Sequence, residues 1–119
     1  MSLRHALSIS LALAAFAVTG VAAASGKTGN AANGKQKAAA CAACHGPDGN
    51  KTLDGTYPRL AGQYPDYLAK ALGEYRSGKR KNAVMAGQAA ALTDQEIADL
   101  AAYYGSLDGE IHDLSSHAH

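Results

Sequence analysis

Apolar residues at helical spacing predict three helices along this chain. The alanines from Gly34 to Ala43 have high helix propensity. A second segment, from near Pro65 to Gly78, repeats apolar residues every three or four positions. The third helix has the clearest start, because Thr93 and Glu96 form the Thr-x-x-Glu pattern of a capping box. The sequence shows no convincing strand run, and the pattern therefore predicts an all-α fold.

Loops are predicted between these helices. Turn-forming residues from Gly46 to Asn50 end the first helix, and a loop follows as far as Gly62. A second loop is predicted from Lys79 to Leu92. Tyr64 and Tyr75 share the apolar face of the second helix, which indicates packing rather than cofactor binding. The buried face of the third helix is predicted to contain Ile97, Leu100, Ala101 and Tyr104.

The first 24 residues have the pattern of an export signal. Arg4 precedes a mostly apolar stretch from Ala6 to Val21, and small residues suited to cleavage follow up to Ala24. We expect a signal peptide at 1–24, a domain at 25–109, a C-terminal tail at 110–119 and a periplasmic location. An uncleaved anchor is the alternative, because about 19 largely uncharged residues approach the length that spans a bilayer.

The composition after residue 24 indicates a small domain with a thin core. These 95 residues contain only 11 Val, Ile and Leu, with 19 Ala and neither Trp nor Phe. A domain this small needs a further stabilising element when apolar burial is poor. The same residues have 10 Lys and Arg against 10 Asp and Glu, so no basic stripe is available for nucleic acid.

Cys41, Cys44 and His45 form a Cys-x-x-Cys-His motif, which outside the cytoplasm is the attachment signature of a covalent haem. Two thiols at this spacing can bond both vinyl groups of one porphyrin, and the adjacent imidazole becomes an axial ligand. A thioredoxin-like dithiol is disfavoured because no strand pattern surrounds the motif. A structural zinc site is disfavoured because the motif supplies only three ligands. Both cysteines lie in this motif, so a disulfide framework is not expected.

Met85 is the one methionine after residue 24, since Met1 is the only other. It lies in the predicted loop rather than on an apolar helical stripe, which favours an iron ligand over a flexible core filler. A thioether opposite His45 stabilises ferrous iron and fills the second axial position. An iron with both axial positions filled transfers electrons rather than activating a substrate.

Four segments together resemble the class I c-type cytochromes, especially the short bacterial monohaem proteins and the halves of tandem dihaem cytochromes c. They are Cys41–Gly46, Tyr57–Gln63, Arg80–Met85 and the helix Leu92–Tyr104. The resemblance covers roughly residues 34–107. It implies the cytochrome c fold, with three main helices and long loops wrapped around one haem c bound covalently through Cys41 and Cys44.

The resemblance also implies roles for single residues around the haem. It makes His45 and Met85 the axial ligands, and it makes the Pro58 carbonyl the acceptor of the His45 Nδ1 proton. Tyr57 and Arg59 are expected as wall residues near the haem. Arg59 is equally a candidate propionate partner and a solvated surface residue.

The resemblance further implies that the first helix packs across the last through a close-approach glycine and aromatic residues. Gly34, Leu100 and either Tyr103 or Tyr104 are the candidates for this contact. Many family members have a bulky aromatic where this chain has Ala38. We therefore expect a lighter interface between the two helices.

The function expected from the sequence is a soluble periplasmic monohaem electron carrier that cycles between Fe(III) and Fe(II). Its expected partners are redox proteins, namely a membrane donor complex and a terminal oxidase or reductase, which it meets as a monomer with peripheral membrane contact only. Near-neutral charge argues against a strongly steered encounter, so docking is expected to use an apolar patch. The alternatives are a haem enzyme or gas sensor with displaceable Met85, and a cytochrome subunit of a larger oxidoreductase complex.

Overall fold

The structure is a computed structural model that describes residues 26–111, and within them it contains five helices and no strand. They are α1 (Ala31–Lys37), α2 (Ala39–His45), α3 (Pro65–Ser77), α4 (Ala83–Ala89) and α5 (Asp94–Gly105). None of the helices in this range is long and apolar enough to cross a membrane. The expected signal peptide and residues 112–119 of the expected tail lie outside the described residues.

The all-α prediction is confirmed, but the first predicted helix is divided in two. α1 begins at Ala31, three residues earlier than predicted, because the Asn30 side chain caps it by accepting the backbone N–H groups of Ala32 and Asn33. Ala38 separates α1 from α2, and its N–H bonds to the Lys35 carbonyl only three residues back. The haem motif therefore lies in a separate short helix.

The predicted loop from Lys79 to Leu92 is wrong in its middle part, where the structure has α4. Asn82 caps this helix by accepting the N–H of Met85 at 3.0 Å. A helix of only seven residues shows little apolar periodicity, which explains why the pattern gave no sign of it. Met85 consequently lies in the first turn of a helix.

α1 crosses over α5, and this contact joins the N-terminal and C-terminal parts of the domain. A Cβ atom on Gly34 would overlap the Asp99 carbonyl oxygen and lie 2.7 Å from Tyr103 Cβ, so only glycine permits this approach. The buried Asp99 carboxylate accepts the Asn30 N–H at 2.7 Å across the same crossing. The expected contact of Gly34 with the last helix is present, with Tyr103 as the aromatic residue.

The core lies between α2, α3 and α5. The predicted buried face of α5 is confirmed, since all four of its residues are buried. Leu68 from α3 and Ala38 pack against Leu100, Ala101 and Tyr104 in one apolar cluster. Thr93 and Glu96 form the predicted capping box and hold the start of α5. These helices form three walls around a cavity.

Candidate functional site

One cavity of about 430 Å³ opens between α2, the loop after it, α3, α4 and α5. This volume lies within the usual range for small-molecule and cofactor sites. All of the predicted site residues line it: Cys41, Cys44, His45, Tyr57, Pro58, Arg59 and Met85. Residues separated by up to 44 positions in the chain are thus brought to one site.

α2 places the two thiols and the imidazole of the motif on one wall of this cavity. Cys41 and Cys44 are half-buried and form no disulfide, and His45 is the last residue of the helix. The helix can end there because Gly46 follows with φ 85°, where a Cβ atom would overlap the Lys51 carbonyl oxygen. The chain therefore turns away at once and leaves the imidazole ring facing the cavity.

The orientation of His45 is fixed by a hydrogen bond to the loop. Its Nδ1 lies 2.8 Å from the Pro58 carbonyl oxygen. Because a carbonyl can only accept, Nδ1 donates its proton, and in the neutral imidazole Nε2 then has the free lone pair that an iron ligand requires. The Tyr57 ring meets the imidazole edge-on, at 6.3 Å between centroids and 77° between planes. These contacts hold a ring that is only 5% exposed.

Each sulfur of the motif has a tyrosine hydroxyl beside it. Burial raises the pKa of the Cys41 thiol, and the Tyr104 hydroxyl acts in the opposite direction. The pKa of Tyr57 is raised, first of all by the charge that Cys44 has when ionised. A buried thiol such as Cys41 therefore stays protonated near neutral pH.

Met85 reaches the same cavity from α4. It is half-buried in the first turn of that helix, where its backbone is held by the Asn82 cap described above. The structure thus brings the thioether and the His45 imidazole to one cavity. Met85 is the only methionine among the described residues.

Arg59 lines the cavity and is bound by groups of the protein. Its Nη1 forms an ion pair with Glu110 at 2.6 Å, and its Nε donates to the Asn50 carbonyl at 3.2 Å. The side chain is about half exposed. Arg59 therefore lines the cavity while about half of its side chain is in contact with solvent.

An arginine and two tyrosines on the cavity wall were not predicted as residues of the site. The Arg80 guanidinium lies 5.7 Å from the ring centroid of Tyr67 and 5.2 Å from that of Tyr75, and it donates to the Tyr67 hydroxyl at 3.1 Å. Of the two tyrosines predicted to pack on the apolar face of α3, Tyr64 is 56% exposed, whereas Tyr75 is half-buried and lines the cavity. No sequence spacing signals this cluster, because Arg80 lies outside the helix that holds the tyrosines.

The residues around the cavity fit a covalently bound haem. Two thiols one helical turn apart, an imidazole with a free Nε2 and a thioether form the donor set. Leucines supply apolar walls: Leu60, Leu68, Leu72 and Leu100. A buried hydroxyl, Tyr104 Oη, has no hydrogen-bond partner within residues 26–111, which is expected where a further group occupies the cavity.

Comparison with known families agrees with this site. The family model for cytochrome c matches residues 31–108, and the chain therefore belongs to the cytochrome c family. The predicted cytochrome c fold is confirmed. One haem c is bound covalently through Cys41 and Cys44.

The chain is similar to cytochrome c4 and to a shorter cytochrome. It is 47% identical to cytochrome c4 of Pseudomonas aeruginosa over 78 residues, which are 66% of this chain and 38% of that protein. It is 47% identical to cytochrome c-554(548) of Halomonas halodenitrificans over 83 residues, 67% of this chain and 99% of that protein. The structure of reduced recombinant cytochrome c4 from Pseudomonas stutzeri matches with a TM-score of 0.66 and 39% identity, over 71% of this chain and 48% of that chain. The chain thus spans less than half the length of these cytochrome c4 proteins.

Proposed function

We propose that this protein is a periplasmic electron carrier that transfers single electrons through a haem c with His45 and Met85 as axial ligands. When bound, the haem supplies a reversible one-electron Fe(III)/Fe(II) couple. The observation that supports the proposal most strongly is the convergence of His45 Nε2 and the Met85 thioether on the cavity that the two cysteines line. The export pattern of residues 1–24 supports the periplasmic location.

The imidazole side of the site is built to stay fixed during electron transfer. The Pro58 carbonyl holds the Nδ1 proton of His45 and so fixes both the tautomer and the direction of Nε2. A hydrogen-bonded imidazole is also a more basic ligand. The ring of Tyr57 limits rotation of the imidazole from the side.

The thioether side of the site closes the second axial position. Asn82 fixes the backbone of Met85 at the start of α4, while α4 itself packs on α3. A thioether ligand stabilises the ferrous state, and its presence leaves no position for a substrate. The apolar walls of the cavity exclude water. They also stabilise the ferrous state and so favour a high reduction potential.

The mouth of the cavity offers an apolar docking surface next to Met85. Val84 is 59% exposed and Tyr67 is 44% exposed, and both line the cavity. Since the chain is near neutral, charge steering contributes little. We expect electron-transfer rates with a redox partner to change little with salt concentration, and a steep salt dependence would count against this docking mode.

Replacement of the thioether tests the proposed ligand. Met85→Ala is expected to retain the haem by intact mass, to lower the midpoint potential by on the order of 0.1 V or more, and to open the iron to added ligands. Val84→Ala is the matched control, because Val84 lines the same cavity one residue earlier and has no ligating atom. An unchanged potential in Met85→Ala would show that another group is the sixth ligand.

A cytochrome subunit of a larger oxidoreductase complex would use the same site and differ in assembly. We favour a separate carrier because the donor set closes the site, which needs no partner residue to complete it. Purification of the haem-containing protein from its native source tests the difference. A stable monomer by light scattering is expected, and co-purification with a dehydrogenase in fixed stoichiometry would favour the subunit.

A further inference from the structure

Tyr104 has a buried hydroxyl that no hydrogen bond within the described residues satisfies. The residue is 4% exposed, and its Oη is the one buried side-chain polar atom of residues 26–111 without a partner. Leaving such a group unpaired costs about 1–3 kcal/mol, so native proteins generally provide a partner. Tyr104 also lines the haem cavity, which makes the haem-bound site the place to look for that partner.

Cys41 brings a sulfur atom to the cavity that Tyr104 also lines. Cys41 packs against the apolar cluster that contains Tyr104, and the two groups act on each other's pKa. No hydrogen bond joins the two groups while Cys41 is a thiol. A thiol is both a weak donor and a weak acceptor, so it offers the hydroxyl no defined role.

Haem attachment changes the chemistry of this pair. The sulfur of Cys41 loses its proton when it becomes a thioether, and it is then only an acceptor. Burial raises the pKa of Tyr104 far above neutrality, so its hydroxyl remains a donor. The haem cavity is then lined by a hydroxyl donor without a hydrogen-bond partner among the described residues and by a sulfur that can only accept.

We propose that in the haem-bound protein Tyr104 donates its hydroxyl proton to the thioether sulfur of Cys41 and thereby raises the reduction potential of the iron. The positive end of the O–H dipole would point towards the covalently attached macrocycle. An added electron is stabilised by that dipole, because the buried surroundings screen it weakly. Tyr104 is thus a residue of the cofactor site as well as of the core.

The other tyrosine–cysteine pair differs in its access to water. Tyr57 lies beside Cys44 but is only half-buried, so water competes for its hydroxyl. The neighbouring Tyr103 packs on Tyr104 with ring centroids 5.0 Å apart and does not line the cavity. Tyr103→Phe is therefore a matched control that removes a hydroxyl from the same helix.

Two measurements on the haem-bound protein test the bond. Resonance Raman spectra in H₂O and D₂O should show an isotope shift in the thioether carbon–sulfur stretching band of the wild type, and Tyr104→Phe should lose that shift while Tyr103→Phe retains it. Potentiometric titration should give a lower midpoint potential for Tyr104→Phe and a wild-type value for Tyr103→Phe. Tyr57→Phe identifies any contribution from Cys44 to the band. A full isotope shift or a wild-type potential in Tyr104→Phe would overturn the proposal.

The proposal can be tested even if a variant does not incorporate haem. The isotope comparison is first made on the wild type, where absence of any shift would itself overturn the proposal. The inference rests on the proposed carrier only through haem attachment at Cys41 and not through ligation by Met85. If Met85→Ala did not change the potential, the ligand proposal would fail, but the proposed bond from Tyr104 to Cys41 would still be tested by the isotope shift.

Discussion

Gly34→Ala should destabilise the protein although alanine is the better helix former. An exposed helical glycine replaced by alanine gains up to about 1 kcal/mol. At Gly34, however, the new Cβ would overlap the Asp99 carbonyl oxygen and lie 2.6 Å from the Asp99 carbonyl carbon. These are backbone atoms that cannot rotate away, so α1 must shift relative to α5.

The expected size follows from the contacts that such a shift disturbs. Overpacking in a close contact costs about 1–3 kcal/mol. The shift also stretches the hydrogen bond from Asn30 N–H to the buried Asp99 carboxylate, worth about 1.5 kcal/mol or more because the acceptor is charged. After the helix gain is subtracted, a net loss of about 1.5–3.5 kcal/mol remains. In a domain of this size that lowers the melting temperature by roughly 6–28 °C.

Thermal unfolding of the haem-bound protein, followed by far-ultraviolet circular dichroism, measures this change. Gly73→Ala is the matched control, because Gly73 lies within α3 and no atom lies within 4 Å of the position that its new Cβ would take. The control should unfold at the wild-type temperature or slightly above it. A melting temperature for Gly34→Ala equal to or above that of the wild type would refute the close packing of α1 on α5.

Further predictions concern the core, the cap of α4 and the response to acid. Leu100→Ala should lower the free energy of unfolding by about 2–5 kcal/mol in denaturant titrations, because Leu100 is only 2% exposed. Asn82→Ala should cost about 1 kcal/mol and speed the displacement of Met85 by imidazole in stopped-flow absorbance. The pKa of Glu96 is lowered from 4.5 to about 2, mainly by the Lys37 ammonium and next by the Thr93 N–H. The stability that Glu96 contributes above pH 4.5 is therefore lost as the pH falls towards 2. Glu96→Gln should flatten that acid dependence in denaturant midpoints measured against pH.

Controls for these variants come from the same chain. Leu53→Ala removes a leucine that is 68% exposed, and it should leave stability nearly unchanged. An equal loss in Leu53→Ala and Leu100→Ala would contradict the assigned core. Displacement of Met85 at the wild-type rate in Asn82→Ala would show that the cap does not hold the ligand. If the stability of Glu96→Gln depended on acid pH as strongly as that of the wild type, other carboxylates would be responsible.

The sequence predicted best where one local interaction decides the structure. Thr93 and Glu96 define the start of α5 through bonds within four residues, and the helical period then identifies Leu100 as buried. The residues of the predicted site all line one cavity, since the motif and the resemblance specified them by type and spacing. Their roles as ligands and wall residues stay proposals.

The missed features leave no periodic pattern in the sequence. The break at Ala38 and the seven residues of α4 are too short for periodicity to detect. Arg80 lies over Tyr67 only because the chain folds back after α3, and nothing in the spacing of these residues indicates the contact. Tyr104 was predicted as a core residue, but helical periodicity does not distinguish a core position from one that also lines a cavity.

Carbon monoxide binding to the reduced wild-type protein tests the closed electron-transfer site most directly. With His45 and Met85 both bound to iron, stopped-flow absorbance should show binding that is slow, incomplete and limited by dissociation of Met85 rather than by the carbon monoxide concentration. Met85→Ala should bind carbon monoxide quickly in the same experiment. Rapid, stoichiometric binding to the wild type would contradict the account and favour a haem enzyme or gas sensor.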